Sequence, residues 1–113
     1  MPILSLRPRK PDDKLMRVEI HPDAESRLIE VWEYTESEWG EAQADKYIQK
    51  LVAAIRGLPD CRYRWRKLPD EKLAGIYFIR HAHHYIFFRQ LSSQKLGVIQ
   101  VLHENMALPS QLE

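Results

Sequence analysis

Four histidines fall close together in the second half of the chain: His81, His83, His84 and, further on, His103. Arg80, Tyr85 and Arg89 stand nearby. Imidazole is the side chain that exchanges protons near neutral pH. A small ribonuclease needs a base for the 2′-hydroxyl, an acid for the leaving oxygen and a cation on the phosphate. Histidine, tyrosine and arginine could fill those roles. The same set also reads as structural or surface histidines, because its spacing matches no specific catalytic signature. A metal site is disfavoured, since neighbouring strand residues point to opposite faces and no carboxylate spacing accompanies the imidazoles.

A second candidate lies upstream, in Arg62-Tyr63-Arg64-Trp65-Arg66-Lys67. Guanidinium forks suit phosphate or carboxylate oxygens, and interleaved aromatic faces can stack on bases. The competing reading, which alternation with period two favours, is a solvated loop in which Tyr63 and Trp65 cap the core while the cations point outward. Other chemistries have no residues here. There is no phosphate-cradling glycine loop, no dinucleotide fingerprint, no nucleophile elbow and no paired catalytic carboxylates. No cofactor and no metal is called for.

The charge distribution says more than the net charge of +1. From Arg17 to Gly57 there are five Lys/Arg against nine Asp/Glu, and from Asp60 to Gln90 seven against three. An acidic first half and a basic second half speak to partners rather than to fold. The single cysteine, Cys61, excludes an intramolecular disulfide and points to a reducing, cytoplasmic setting. No apolar run reaches the roughly 18 residues of a membrane span, so no membrane partner is expected. Nor does the start resemble a signal peptide, because its basic residues follow the apolar ones.

The elements that must position these residues read as an α+β domain. Residues 1–15, with Pro2, Pro8 and Pro11, form an irregular arm, and residues 16–113 one domain that could begin naturally at Met16. Met16–Ile20 alternates like a half-buried strand. Pro22 then opens a helix whose stripe is Ala24, Leu28, Val31, Trp32 and Thr35. Gly40, expected in a left-handed conformation, separates it from a second helix striped by Ala44, Tyr47, Ile48, Leu51, Ala54, Ile55 and Leu58. With so short a joint the two helices must form an antiparallel hairpin. Asp60–Lys72 is a connection that could hold a short strand or turn around Tyr63–Lys67. Three strands follow, Gly75–His81, His84–Gln90 and Gly97–His103, and their short gaps allow only an antiparallel meander, packed against the hairpin. The N-terminal strand should join that sheet.

One resemblance runs through this order. Tyr34, Trp39-Gly40, Gln43-Ala44, Tyr47 and Leu51, followed by Leu58 and Cys61, resemble the hairpin of the RelE/ParE superfamily of type II toxin–antitoxin toxins, its ParE branch above all. Pro22, Ala24, Leu28 and Val31 fit before the joint. Tyr77, Ile79, His83, Tyr85 and Phe88-Arg89 fit after it, as do Ile99, Val101-Leu102-His103, Met106, Leu108-Pro109 and Leu112. The resemblance covers about residues 16 to 112.

It implies a helical hairpin against a twisted antiparallel sheet, and a cognate antitoxin whose C-terminal segment wraps and silences the toxin. ParE toxins poison DNA gyrase without substrate chemistry of their own. RelE relatives cut mRNA in the ribosomal A site. The tail from Glu104 to Glu113 carries no tyrosine, histidine or cation, which departs from the nuclease pattern, and Ala107 stands where the family commonly has aspartate. The expectation is therefore a gyrase inhibitor contacting target or antitoxin through Arg62, Arg64, Trp65, Arg66, Arg80 and Arg89. The alternative is a ribosome-dependent mRNA endonuclease using Arg80, His83, Arg89 and His103.

Overall fold

The computed structural model describes residues 16–106. The expected arm at 1–15, and the tail positions 107–113 with the Ala107 departure, lie outside the described residues. Strand β1 (Arg17–Ile20) leads to helix α1 (Pro22–Trp39), then α2 (Glu41–Arg56). Two short 3-10 turns, Leu58–Asp60 and Arg62–Arg64, precede β2 (Arg66–Lys67), and a third, Glu71–Leu73, precedes β3 (Ile76–His81). Strands β4 (His84–Ser92) and β5 (Lys95–His103) complete the order.

Both helices start and stop where local chemistry requires. His21 caps α1 through its ring nitrogen, which accepts the Asp23 N–H at 3.1 Å, and Pro22 fills the first turn, where no backbone donor is needed. Gly40 ends α1 and begins α2 with φ 92° and ψ 166°. That is extended backbone of positive φ, a region essentially reserved for glycine, rather than the left-handed helical turn expected. The Gly40 N–H still closes onto the Glu36 carbonyl at 2.9 Å, and its own carbonyl receives Ala44 N–H at 3.0 Å. One residue thus serves both helices. Across the joint, Trp32 Nε1 donates to Asp45 Oδ1 at 2.8 Å, tying the two helices together.

The sheet order is β1-β5-β4-β3-β2. The meander is antiparallel as expected, with β2 adding a short strand beside β3, while β1 joins at the far edge parallel to β5. The strand suggested around Tyr63–Lys67 therefore exists, confined to its last two residues. A parallel edge strand is what the chain path demands, because the hairpin carries it away from β1 and back before the meander begins.

Register divides the sheet into two faces. Ile79, Ile86, Phe88, Val98 and Val101 face the hairpin and join Ala24, Leu28, Val31, Leu51, Ile55 and Leu58 in the main core. Removing this apolar surface from water is the dominant stabilisation, about 25 cal/mol per Å². A second, smaller cluster lies on the opposite face, where Phe78 and Phe87 pack with Leu68, Tyr85, Ile99 and Leu102. A bulge in β5 opposite Phe87 and Phe88 lets that strand serve both clusters. Among the described residues no helix is long and apolar enough to cross a membrane.

Candidate functional site

Alternation along single strands conceals what pairing reveals. His81 ends β3, His84 begins β4 and His103 ends β5, and the register pairs His81 with His84 and His84 with His103. Three imidazoles therefore form one cross-strand row on the helix-facing side. His83 sits in the two-residue turn between β3 and β4. Its ring lies 6.3 Å from that of His103, nearly parallel at 18°, and the His84 and His103 rings meet edge to face at 5.1 Å.

Three of these imidazoles, His83, His84 and His103, are fixed by hydrogen bonds. Tyr47, from α2, reaches His84 Nδ1 with its hydroxyl at 2.7 Å, while the same oxygen receives the His83 backbone N–H at 3.3 Å. The hydroxyl can serve both contacts at once, accepting from the His83 N–H and donating to His84 Nδ1 in the tautomer that carries its hydrogen on Nε2. Burial, together with His103 and His83 beside it, lowers the His84 pKa from 6.5 to about 4. Burial also raises the Tyr47 hydroxyl above its ordinary value, with Glu104 adding to the effect. His103 Nδ1 accepts the Asn105 N–H at 3.0 Å, a bond that needs this nitrogen unprotonated.

Glu104 is the centre that the sequence did not disclose. One carboxylate oxygen bonds His83 Nδ1 at 2.8 Å and the other is held by the Arg80 guanidinium. Hydrogen bonding from His83, followed by the charge of Arg80, keeps the Glu104 carboxyl below the usual range. Arg80 Nε also donates to the Ala82 carbonyl at 3.0 Å, and the Glu104 N–H to the His83 carbonyl at 2.7 Å. The turn is thus braced from three sides, and Ala82 holds φ 51°, the positive value that a two-residue hairpin asks of its first loop position. Alanine bears that conformation at a cost that glycine would avoid.

Of the four residues in the nuclease expectation, Arg80, His83 and His103 meet around Glu104. Arg89 does not. It pairs with Ile76 and Gly97, four positions along β4 from the Tyr85 that faces Arg80, about 13 Å at the rise of a strand. Among the described residues no group of three or more His, Cys, Asp or Glu side chains is placed to hold a metal ion.

The basic run is divided differently from either sequence reading. Trp65 turns inward: its Nε1 donates to the Leu58 carbonyl at 2.9 Å, and its ring meets Phe88 at 4.9 Å and Tyr77 at 5.4 Å. Tyr63 is 87% exposed, because Arg62–Arg64 is a 3-10 turn and the alternation that would have placed both aromatics together does not extend across it. The cations are braced rather than loose. Arg62 lies over the Trp65 ring at 4.9 Å and Arg66 over Phe78 at 5.5 Å, while Arg64 donates to the Arg80 carbonyl at 2.7 Å. None of Arg62, Arg64, Arg66 and Arg89 is ion-paired among the described residues. Burial, with Arg64 and Lys50 nearby, lowers the pKa of His81.

A groove of about 860 Å³ opens between the hairpin and the imidazole row. Val31, Tyr34, Trp39 and Tyr47 line the helical side, and His83, His103, Glu104 and Met106 the sheet side. Tyr34, Trp39 and Tyr47 belonged to the sequence pattern, but only the fold shows that they share a wall.

Comparison with known proteins agrees with this architecture. Residues 18–108 match the family model for the ParE toxin of the type II toxin–antitoxin system, parDE. Toxin ParE of Escherichia coli is 32% identical over 90 residues, 80% of this chain and 86% of that protein. Toxin ParE1 of Mycobacterium tuberculosis is 29% identical over 93 residues, 82% and 94% of the two chains. Among solved structures, a chromosomal ParDE system from P. aeruginosa superposes with TM-score 0.66 at 15% identity, covering 80% of this chain and 97% of that one. The RelBE2 toxin–antitoxin complex of M. tuberculosis gives TM-score 0.60 at 16% identity over 78% of this chain and 96% of that one.

Proposed function

The chain belongs to the ParE toxin family of type II toxin–antitoxin systems, and from that premise we propose that it arrests growth by protein–protein contact with a topoisomerase, DNA gyrase foremost. On this reading residues 16–113 act as one toxin domain in the cytoplasm, and a cognate antitoxin silences it with a wrapping C-terminal segment. The antitoxin complexes among the structural neighbours support the second partner.

The observation that carries the reading is the strip of cations held on rigid supports without carboxylate partners among the described residues. Arg62 and Arg66 are stacked on rings and Arg64 is anchored to β3. Side chains ordered before contact lose less conformational freedom on binding, and arginine is the residue favoured at interface hot spots. Arg80 and Arg89 extend the positive side along the outer sheet face.

A second reading keeps one observation of its own. His83 is oriented by Glu104 through Nδ1, which leaves Nε2 free to take a proton, as a general base requires. Against a complete nuclease set, Arg80 is already engaged by Glu104 and Arg89 stands well away.

Induction without antitoxin, with DNA and protein synthesis followed by separate precursors, distinguishes the two. DNA synthesis should stop first, and the purified protein should inhibit supercoiling. Replacing Arg62, Arg64 and Arg66 together by glutamine should weaken that inhibition roughly a hundredfold, as expected for two or three hot-spot contacts of about 1 kcal/mol or more each. Translation stopping first, with cut mRNA and a loss of toxicity in His83→Ala, would overturn the gyrase reading in favour of the endonuclease.

A further inference from the structure

The unpaired cations extend beyond the basic run. From Lys46 to Lys67 the chain carries seven Lys/Arg against one carboxylate, Asp60. The fold gathers this segment on one flank. Helix α1 packs over β5, α2 lies towards β3, and β2 is the last strand of the sheet on that side. The rings of Tyr47 and His81 lie 6.4 Å apart, and Lys50 stands one helical turn beyond Tyr47. Arg64 reaches the same end of β3 through the Arg80 carbonyl. Lys46 lies one turn before Lys50 on the same face of α2. Lys46, Lys50, Arg62, Arg64, Arg66 and Lys67 are all exposed, and none of them is ion-paired among the described residues.

A flank of this kind attracts a polyanion, and its side chains say which. Holding a single strand by its bases needs free aromatic faces. The Trp65 ring is turned against Phe88 and carries Arg62 upon it, so Tyr63 is the one exposed ring of the basic run. That is too little for a stacking platform. A protein partner would have to meet these scattered cations carboxylate by carboxylate. Duplex DNA carries a charge about every 1.7 Å along its axis and meets them in any register. Arg62 and Arg66 lie over rings and Arg64 is tied to backbone, so their positions are set before a backbone of phosphates arrives.

We propose that the flank running from Lys46 and Lys50 through Arg62, Arg64, Arg66 and Lys67 binds the phosphate backbone of duplex DNA without regard to sequence. The proposal deepens the gyrase reading and rests on it for its place in the cell. A topoisomerase holds duplex DNA, and the arginines of the strip then meet the enzyme and its DNA together. Lys46 and Lys50, which that reading does not use, carry the site onto α2.

The test is fluorescence anisotropy with the full chain and labelled duplexes of about 20 base pairs, at salt from about 50 to 200 mM. The logarithm of the association constant should fall against the logarithm of salt with a slope of about −4, as four or five neutralised phosphates require. Two duplexes of unrelated sequence should bind alike. Lys46→Gln combined with Lys50→Gln should make the slope shallower by about 2 and weaken both duplexes equally, and Lys67→Gln alone by about 1. Since these side chains are exposed, the amide spectrum of each variant should stay in place elsewhere. No binding at the lowest salt, a slope shallower than about −1, or poly-glutamate competing as well as DNA at equal charge overturns the proposal. So does a single strand bound more tightly than the duplex, which would move recognition to the bases. The two readings fail separately. Duplex binding without inhibition of supercoiling keeps this site and removes the gyrase reading, and inhibition without duplex binding does the reverse.

Discussion

The strip at Arg62–Lys67 and the imidazole row at His81, His84 and His103 flank the same sheet, yet they handle charge in opposite ways. In the strip, guanidiniums are held outward on aromatic and backbone supports, with no carboxylate beside them among the described residues. In the row, His103 accepts from the Asn105 N–H, His84 is bonded to the Tyr47 hydroxyl and kept neutral by burial, and beside it Glu104 is shared by Arg80 and His83. Free charge steers and selects a partner from a distance, whereas satisfied charge leaves shape and hydrogen bonding to do so. One small domain therefore carries two surfaces suited to two different kinds of contact.

The largest test of this contrast is mechanical. Trp65 supports the strip from inside the core, while Tyr63 next to it touches little. Trp65→Ala should cost roughly 3 kcal/mol in urea unfolding, by loss of a partly buried ring and of its bond to Leu58. Tyr63→Ala should stay within about 0.5 kcal/mol. Equal costs for the two would mean that the strip is not braced by Trp65.

Acid should separate the two regions next. The folded pKa of His84 is depressed to about 4 from 6.5, so the unfolded chain binds the proton more readily between these values. Its contribution is complete above pH 6.5 and is lost as pH falls towards 4, amounting to about 3 kcal/mol. The depressed Glu104 adds a loss at still lower pH, as its carboxylate takes up a proton. Unfolding measured in steps from pH 7.5 to 4 should show this slope, and His84→Gln should flatten it. Native-state amide shifts at Tyr47 and His84 should move only as pH approaches 4, while those from Arg62 to Lys67 stay still.

The smallest effect concerns the turn. Ala82→Gly removes the penalty of φ 51° but adds backbone freedom to the unfolded chain, for a net gain of about 0.5 kcal/mol and a rise in melting temperature of about 3 °C. A lowered melting temperature would mean that the strain at this turn is illusory and that its bracing alone sets the conformation.

Most of the fold was legible because it rests on local signals. The stripes Ala24–Leu28–Val31 and Ala44–Leu51–Ile55 and the break at Gly40 are set by residues within a few positions of one another. The site was legible only in part, because it depends on register. Alternation within β4 places His84 opposite Tyr85, but it is pairing with β3 and β5 that lines His84 up with His81 and His103. Glu104 looked like the first residue of a plain tail, and nothing local says that it will meet Arg80 and His83. Tyr47 was read as core, which is half right: its ring packs against the core and its hydroxyl serves the histidines. Tyr63 went astray for the opposite reason, since a 3-10 turn cancelled the period of two on which its placement relied.

The pairing of β1 with β5 bears on how this protein is born. Arg17 sits beside Lys95 and Ile20 beside Val98, so among the described residues the first strand to be synthesised finds its only neighbour in the last. The hairpin can form early from local contacts, whereas β1 must wait until nearly the whole described chain has emerged, and distant pairings of this kind close slowly. A nascent or prematurely ended chain that stops before Lys95 lacks both β5 and His103, and with them the sheet edge and one wall of the groove. Synthesis itself thus delays the finished sheet until β5 has emerged, and products that end before it would present the helices without that edge.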